Sequence, residues 1–475
     1  SAPASADLVV LDPPRSGAVL PSSRIGEFAA TLRYEDIPGA VRERARIQIL
    51  DGLGVGLASN AFPFAEKTLA GLRALGGAGD CTVIGRPDKL PMRDAAMANA
   101  FLIHGLDFDD THLASIIHAT AATLPVALTL GEALDASGEE LLTAYAAGME
   151  VAIRIGLAVK GGFHHAGFHA TGVVSHFSSA VVAGRLMGLT AGQIAQAQGV
   201  ASSTAAGVQV FLEDGAWTKR FHPGWGAVAG ITAATLVKHG FAGPKRPYEG
   251  RFGLFESHLQ AHAGEADIAA LTDGLGERWD LADSAIKPYP VCHFIHGAAD
   301  SAITLHGEIP DADAIAAIRI LLPQATLRIV AEPAGEKLRP TTEYGAKFSA
   351  QFVVATCLRL GRFGLAELKP EALTDPATLA LAARAACEAD PDSAFPTYFS
   401  GGVEVTLKDG RVLRRHERVN SGAGQRQLDI AGASAKFLGA AGMIMDAGAA
   451  AAARDAILAI DRNPPRVTAA ALGGH

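Results

Sequence analysis

The chain has 475 residues, 49% of them hydrophobic, and a formal net charge of −8 at pH 7. At ~100–200 residues per domain this predicts two or three domains with a large core, and it argues against disorder. The acidic balance, with only 3 Trp and 6 Tyr, excludes the basic stripe and aromatic platforms of a nucleic-acid binder.

The first stretch, SAPASADLVVLDPPRSGAVLPSS, has no basic start and no sustained apolar run, so as it stands it does not read as a secretory signal. From about 24 to 265 the pattern is helical. Pro38 opens EDIPGAVRERARIQILDGLGVGLA where a first helical turn tolerates proline. Its GLGVG, 52–56, has the wrong glycine spacing for a dinucleotide fingerprint and reads as helix packing. Ser137 with Glu140, and Thr190 with Gln193, are capping-box signals for two further helices. ATLPVALTLGEAL and VVSHFSSAVVAGRLMGL are too apolar for a surface and predict interior helices. KHGFAGPKRP, 238–247, is the most basic short patch and reads as a solvated connection.

From about 275 the character changes. DAIAAIRILLP and TLRIVAEP read as short strands, TEYGAKFSAQFVVATCLRLG as a helix, and GVEVTLKDGRVLRRHERV as a hairpin turning at Lys408-Asp409-Gly410. AGASAKFLGAAGMIM and AAAARDAILAI return to helix. The expected fold class is mainly α with an inserted smaller α/β domain. The large helical domain takes 24–270 and 420–465, and the α/β domain takes 271–419. No apolar run reaches ~18 residues without interruption, which predicts no membrane span. Cys81, Cys292, Cys357 and Cys387 are widely spaced with no CxxC. That pattern argues against a zinc ribbon or a disulfide framework and makes a cytoplasmic location the default.

Four stretches carry candidate chemistry. In HGLDFDDTHLASIIHAT, 104–120, an extended backbone would point Asp107 and Asp109 to one side, with Thr111, His112 and His118 within reach of a shared pocket. The alternative is a solvated loop whose aspartates cap the next helix. In HHAGFHATGVVSHF, 164–177, His165 and His169 have the spacing of a helical metal pair. Gly167 breaks that helix and no HExxH glutamate is present, so no metal is expected. His169, next to Thr171 at a helix start, reads as an acid or base near neutral pH; His164 and His165 read as surface loop and His176 as core.

In DGAWTKRFHPGWGA, 214–227, Lys219, Arg220 and His222 precede an apolar helix, and cations beside free N–H groups attract anions. Trp217, Phe221 and Trp225 are expected to bury their flanks; a surface Lys-Arg pair is the alternative. In IKPYPVCHFIHGAADSA, 286–302, Pro288 and Pro290 stiffen the chain around Lys287 and Tyr289, as in a carboxylate clamp or a loop anchor, and Cys292 reads as packing. Together these groups suit proton transfer on a small anion: lysines hold carboxylates while a histidine removes a neighbouring proton.

HGLDFDDTH (104–112), GFHATG (167–172), WTKRFHPGW (217–225), KPYPVCHFIHGAADS (287–301) and YGAKFSAQF (344–352), in that order, resemble the MmgE/PrpD family. This is the family of 2-methylcitrate dehydratase, cis-aconitate decarboxylase and iminodisuccinate epimerase. The resemblance runs from about 24 to 460. It implies a helical domain built from both chain ends, an inserted α/β domain, a homodimer and no cofactor. It also implies pocket roles for Asp107, Thr111, His118, His169, Lys219 and Lys287; His112, Arg220, His222 and Tyr289 join them as substrate-binding candidates. Two features depart from the named branches. Ala170-Thr171-Gly172 follows the histidine where the decarboxylase branch has two prolines, and LASIIHAT stands where bacterial dehydratases carry a tryptophan-containing loop. The expected activity is proton abstraction α to a carboxylate of a small di- or tricarboxylate, first as a dehydratase. An epimerase, a decarboxylase and a non-catalytic carboxylate binder are the alternatives.

Overall fold

The computed structural model describes residues 18–473; the N-terminal stretch considered above as a signal lies outside them up to residue 17. The described chain is mostly helical, with a small sheet in its C-terminal part. One buried apolar cluster runs from Ile25 to Ile286 and resumes from Ala433 to Leu472. It therefore includes Leu271, Leu275, Trp279 and Leu281, so the helical body continues past 270. Of the two capping signals, Thr190 and Gln193 form the full reciprocal box, while Ser137 accepts from the Glu140 N–H without a return bond from the Glu140 side chain. In GLGVG, a Cβ on Gly54 would lie 2.8 Å from Phe437, so these glycines do serve helix packing. Helix Gly138–Val159 is long and apolar enough to cross a membrane by length and composition. It lies inside the body, where Arg154 Nε meets Glu150 at 3.2 Å.

Two other glycines position the site. A Cβ on Gly226 or Gly230 would fall 2.0 Å or 2.4 Å from Ser175 or Ser179. Helices Ala170–Leu186 and Thr218–Lys238 thus pack almost backbone to backbone. That contact sets His169, at the start of the first, beside Lys219 and His222 in the first turns of the second.

A second apolar cluster, made of Phe211 and residues between Val291 and Leu407, surrounds a four-stranded sheet. The strand order is Ala385–Ala389, Ile315–Leu322, Gly401–Leu407, Val412–Glu417; the first pair is parallel and the rest antiparallel. The hairpin turns at Gly410, φ 89°, which suits glycine. TLRIV is not a strand: Leu327–Val330 is one helical turn following the 3₁₀ turn Gln324–Thr326. An apolar run this short fits either state, and neighbouring structure decides. The helix read across TEYGAKFSAQFVVATCLRLG is broken: it stops at Ala346 and restarts where Ser349 Oγ accepts from the Phe352 N–H at 3.1 Å. A short antiparallel ladder, Thr111–His112 with Ser284–Ala285, ties the acidic stretch to the segment leading into Lys287.

Candidate active site

Helix Met92–His104 ends at Gly105, and the backbone turns left-handed at Asp107, φ 52°. Aspartate tolerates this region better than most residues, at a cost of about 1–2 kcal/mol. Two lysines offset it. Lys287 Nζ donates to the Asp107 carbonyl at 2.8 Å and to Oδ1 at 3.2 Å, and Lys219 Nζ donates to Oδ1 at 2.7 Å. The turn, rather than an extended backbone, brings two carboxylates to one side. Asp107 Oδ1 lies 4.0 Å from His118 Nε2, and Asp109 Oδ2 lies 4.0 Å from His118 Nδ1. Asp110 points elsewhere: it accepts from Ser284 Oγ at 2.5 Å and from the Thr120 N–H at 3.3 Å, as a helix-capping aspartate would.

His118 precedes helix Ala119–Ala133, and its backbone N–H donates to Thr171 Oγ1 at 3.0 Å. Its Nδ1 is 3.1 Å from the Asp110 carbonyl and 3.2 Å from Thr111 Oγ1. A carbonyl only accepts, so Nδ1 carries the proton and Nε2 keeps its lone pair on the Asp107 side. By the same logic His104 Nδ1 donates to Asp109 Oδ2 at 2.8 Å. His169 Nδ1 and His222 Nδ1 share a proton at 2.9 Å. The His104 ring lies 4.9 Å from His118 and 5.6 Å from His169, centroid to centroid. Four buried atoms here have no partner among the described residues: Nε2 of His104 and His169, Oδ2 of Asp107 and Oδ1 of Asp109. Such atoms cost ~1–3 kcal/mol each unless a ligand satisfies them.

Burial opposes ionisation of Asp107, but the Lys219 and Lys287 ammoniums and His118 hold its carboxyl well below the usual range. Burial, opposed by Asp109 and reinforced by Lys219, keeps His118 well below an ordinary imidazole. His169 is lowered likewise, by burial and then by His222 and Lys219. His222 is pushed down to about 4 by burial and His104. Both central imidazoles are therefore neutral at pH 7, ready to accept a proton. Burial, partly offset by Glu343 and Asp107, brings Lys347 down to about 8.

Asp107, His118, His169, Lys219 and Lys287 thus converge, with Thr111 on His118 and His222 on His169. Arg220 is buried but sits 3.9 Å from the Phe64 ring centroid, to one side. His112 and Tyr289 are directed elsewhere. His112, the strand neighbour of Thr111, takes the opposite face and meets Ser115 Oγ at 2.8 Å. Tyr289 Oη donates to Asp300 Oδ1 at 2.6 Å. His165 is exposed and His176 Nδ1 donates to the Gly172 carbonyl at 2.8 Å, but His164 is half-buried and its Nε2 accepts from the Ala170 N–H at 3.4 Å. Trp217, Phe221 and Trp225 do not bury the flanks; they stay 44%, 39% and 43% exposed, because Lys219, Arg220, His222 and Pro223 occupy the buried face of their helix.

Asp109, read with Asp107 as facing a shared pocket, does belong to this region, and so do His104 and Lys347, to which sequence reading gave no role. The signal for His104 was its place at the head of the dense acidic stretch. Lys347 Nζ donates to the Leu106 carbonyl and pairs with Glu343 at 3.1 Å. Two trios have metal-ligand spacing, His104/His118/His169 and Asp107/Asp109/His118, each with ligand atoms within 4.8 Å of one another. A divalent cation at the second would meet two ammoniums already within 3.2 Å of Asp107 Oδ1, so the imidazole trio is the sounder donor set.

Comparison with known proteins adds an independent line. A model of the MmgE/PrpD N-terminal domain matches residues 23–265, and one of the MmgE/PrpD C-terminal domain matches 289–462. Cis-aconitate decarboxylase of Aspergillus terreus is 30% identical over 302 residues, 61% of this chain and 61% of that protein. The human protein of the same name is 29% identical over 398 residues, 80% of this chain and 79% of its own length. The 2-methylcitrate dehydratase of Cupriavidus necator is 27% identical over 408 residues, covering 80% of this chain and 81% of that protein. These names are those of lyase-type enzymes.

Proposed function

The chain belongs to the MmgE/PrpD family, and from that premise we propose that it is a lyase acting on a small di- or tricarboxylate, dehydrating it by removal of a proton α to a carboxylate. One observation carries the reading: the Lys219 and Lys287 ammoniums outnumber the single carboxylate they share, Asp107, beside the lone pair of His118 Nε2. A substrate carboxylate would accept from the remaining N–H groups of these ammoniums. His118 takes the proton, and the electron pair it leaves is drawn toward the carboxylate, where fixed ammoniums stabilise the developing charge in a site shielded from water. The C–O bond then breaks, the C=C bond forms, and the hydroxyl leaves as water with the proton that His118 took, so His118 is neutral again and the cycle closes; His169, beside it, lines the path of the departing oxygen. Positioned acid and base groups contribute ~10²–10⁴-fold each. Asp107 orients the lysines and His118, and Thr111 fixes the His118 ring.

Decarboxylation is the second reading, favoured by the relatives named cis-aconitate decarboxylase. The same ammoniums would stabilise the charge left on carbon when carbon dioxide departs, and a histidine would then deliver the proton. Proton NMR in heavy water, with 2-methylcitrate and cis-aconitate among a panel of di- and tricarboxylates, separates the reactions. Water loss supports the first reading, and carbon dioxide loss with deuterium at the product carbon supports the second. Exchange of the α-hydrogen alone would replace both with epimerisation; no change in any compound overturns all three.

A further inference from the structure

Three consecutive carbonyls of the acidic loop are each held by a lysine from a different part of the chain. Lys347 reaches the Leu106 carbonyl, Lys287 the Asp107 carbonyl at 2.8 Å, and Lys436 the Phe108 carbonyl at 2.7 Å. The partners lie 241, 180 and 328 residues apart in sequence. Lys436 comes from helix Ile430–Ala441 and its side chain is only 9% exposed. It also pairs with Asp51 Oδ1 at 2.6 Å and sits 3.8 Å from the Phe108 ring centroid.

A buried carbonyl needs only one N–H, and a backbone amide supplies that without desolvating a charge. Three buried ammoniums are a costly way to satisfy three carbonyls, so they do more than satisfy them. The Asp107 carbonyl lies in the peptide to Phe108 and the Phe108 carbonyl in the peptide to Asp109, so holding these two carbonyls fixes the backbone from which both carboxylates project. We infer that these lysines clamp the loop, with Lys436, its partner Asp51, and Lys347 as positioning residues that aim Asp107 and Asp109 at His118. The inference rests on the proposed reaction for its kinetic consequence, but the geometry it asserts exists without substrate.

Two measurements keep those apart. The first is the ¹⁵N spectrum of histidine-labelled, ligand-free protein. In Lys436→Met, and in the Asp51→Asn/Lys436→Met double variant that leaves no charge stranded, the ring nitrogen signals of His104 and His118 are expected to shift as Asp109 loosens. The second is turnover of whichever di- or tricarboxylate the wild type converts. There kcat should fall ~10²-fold, the scale of a small misplacement, with KM within about threefold and the acid limb of the pH profile displaced. Lys436→Arg should recover about tenfold. A folded double variant with unchanged histidine signals overturns the clamp. So does a kcat within about twofold of wild type. A wild type that converts no di- or tricarboxylate overturns the proposed reaction, while the histidine spectra still decide the clamp.

Discussion

Two stretches of this chain carry similar residues and use them differently. HGLDFDDTH (104–112) and KPYPVCHFIHGAADS (287–301) both place histidines, a carboxylate and hydroxyl partners in the interior. Around Asp300 the oxygens are spoken for: Oδ1 accepts from Tyr289 Oη at 2.6 Å and Ser421 Oγ at 2.7 Å, and Oδ2 from the Ser421 N–H at 2.7 Å. Asn420 links His293 at 2.9 Å to the Phe399 N–H at 3.1 Å. This second network ties the start of helix His296–His306 to the segment after the hairpin. Around Asp107 and Asp109, one oxygen of each carboxylate is left over, and ammoniums crowd the other oxygen of Asp107. Composition does not separate a structural network from a reactive one, and neither do the imidazoles, since Nδ1 of His293 and His296 is also unpaired among the described residues; unspent carboxylate oxygens beside ammonium groups do.

The sharpest way to break that contrast is Lys219→Met. Asp107 keeps Lys287, so the fold should survive with a melting temperature within a few degrees of wild type. The cation that meets substrate is gone, and kcat/KM should fall ~10²–10³-fold. Turnover within about threefold of wild type would remove Lys219 from the proposed site. Tyr289→Phe probes the other network and should do the opposite. Loss of a hydrogen bond to a carboxylate should cost about 1.5–3 kcal/mol in denaturant unfolding, while kcat/KM stays within about threefold. A large kinetic loss at unchanged stability would mean that Tyr289 works on substrate after all.

The contrast also explains what sequence could reveal. Local signals were legible: the caps at Ser137 and Thr190, the hairpin at Gly410, and the helix break at Gly167 each depend on neighbours within a few residues. TLRIV misled because five residues carry too little periodicity to separate a strand from a turn of helix. The ordered motifs pointed to Asp107, His118, His169, Lys219 and Lys287, which the fold does gather. Lys347 and Lys436 stayed invisible because their partners lie hundreds of residues away. The aromatic flanks of Lys219 were misjudged for a related reason. Trp217, Phe221 and Trp225 recur every four residues and form one face of a helix, and the polar face opposite is the one turned inward.

The smallest expected effect sharpens the comparison within the acidic stretch itself. Asp110 stands beside two reactive-looking carboxylates yet resembles Asp300 in being fully engaged, by Ser284 and Thr120. Burial, and then the Asp109 charge, push its carboxyl up to about 7. The folded protein therefore holds a proton that the unfolded chain has released above about pH 4. With a raised folded value, the stabilisation is complete below the unfolded pKa and is lost as pH rises through about 7. Between pH 5.5 and 7 each unit costs about 1.36 kcal/mol, or about 2 kcal/mol over that window. Asn at 110 keeps both neighbours: its Oδ1 still accepts from the Thr120 N–H, and its Nδ2 faces Ser284 Oγ, whose hydroxyl turns from donor to acceptor. Asp110→Asn should thus flatten the pH dependence of unfolding free energy by about 2 kcal/mol, with kcat/KM little changed at pH 6. Glu150, also raised to about 7 by burial, contributes equally to both proteins, so the difference in slope isolates Asp110. Equal slopes would mean that Asp110 is ionised in the folded protein and joins Asp107 and Asp109 in charging the site.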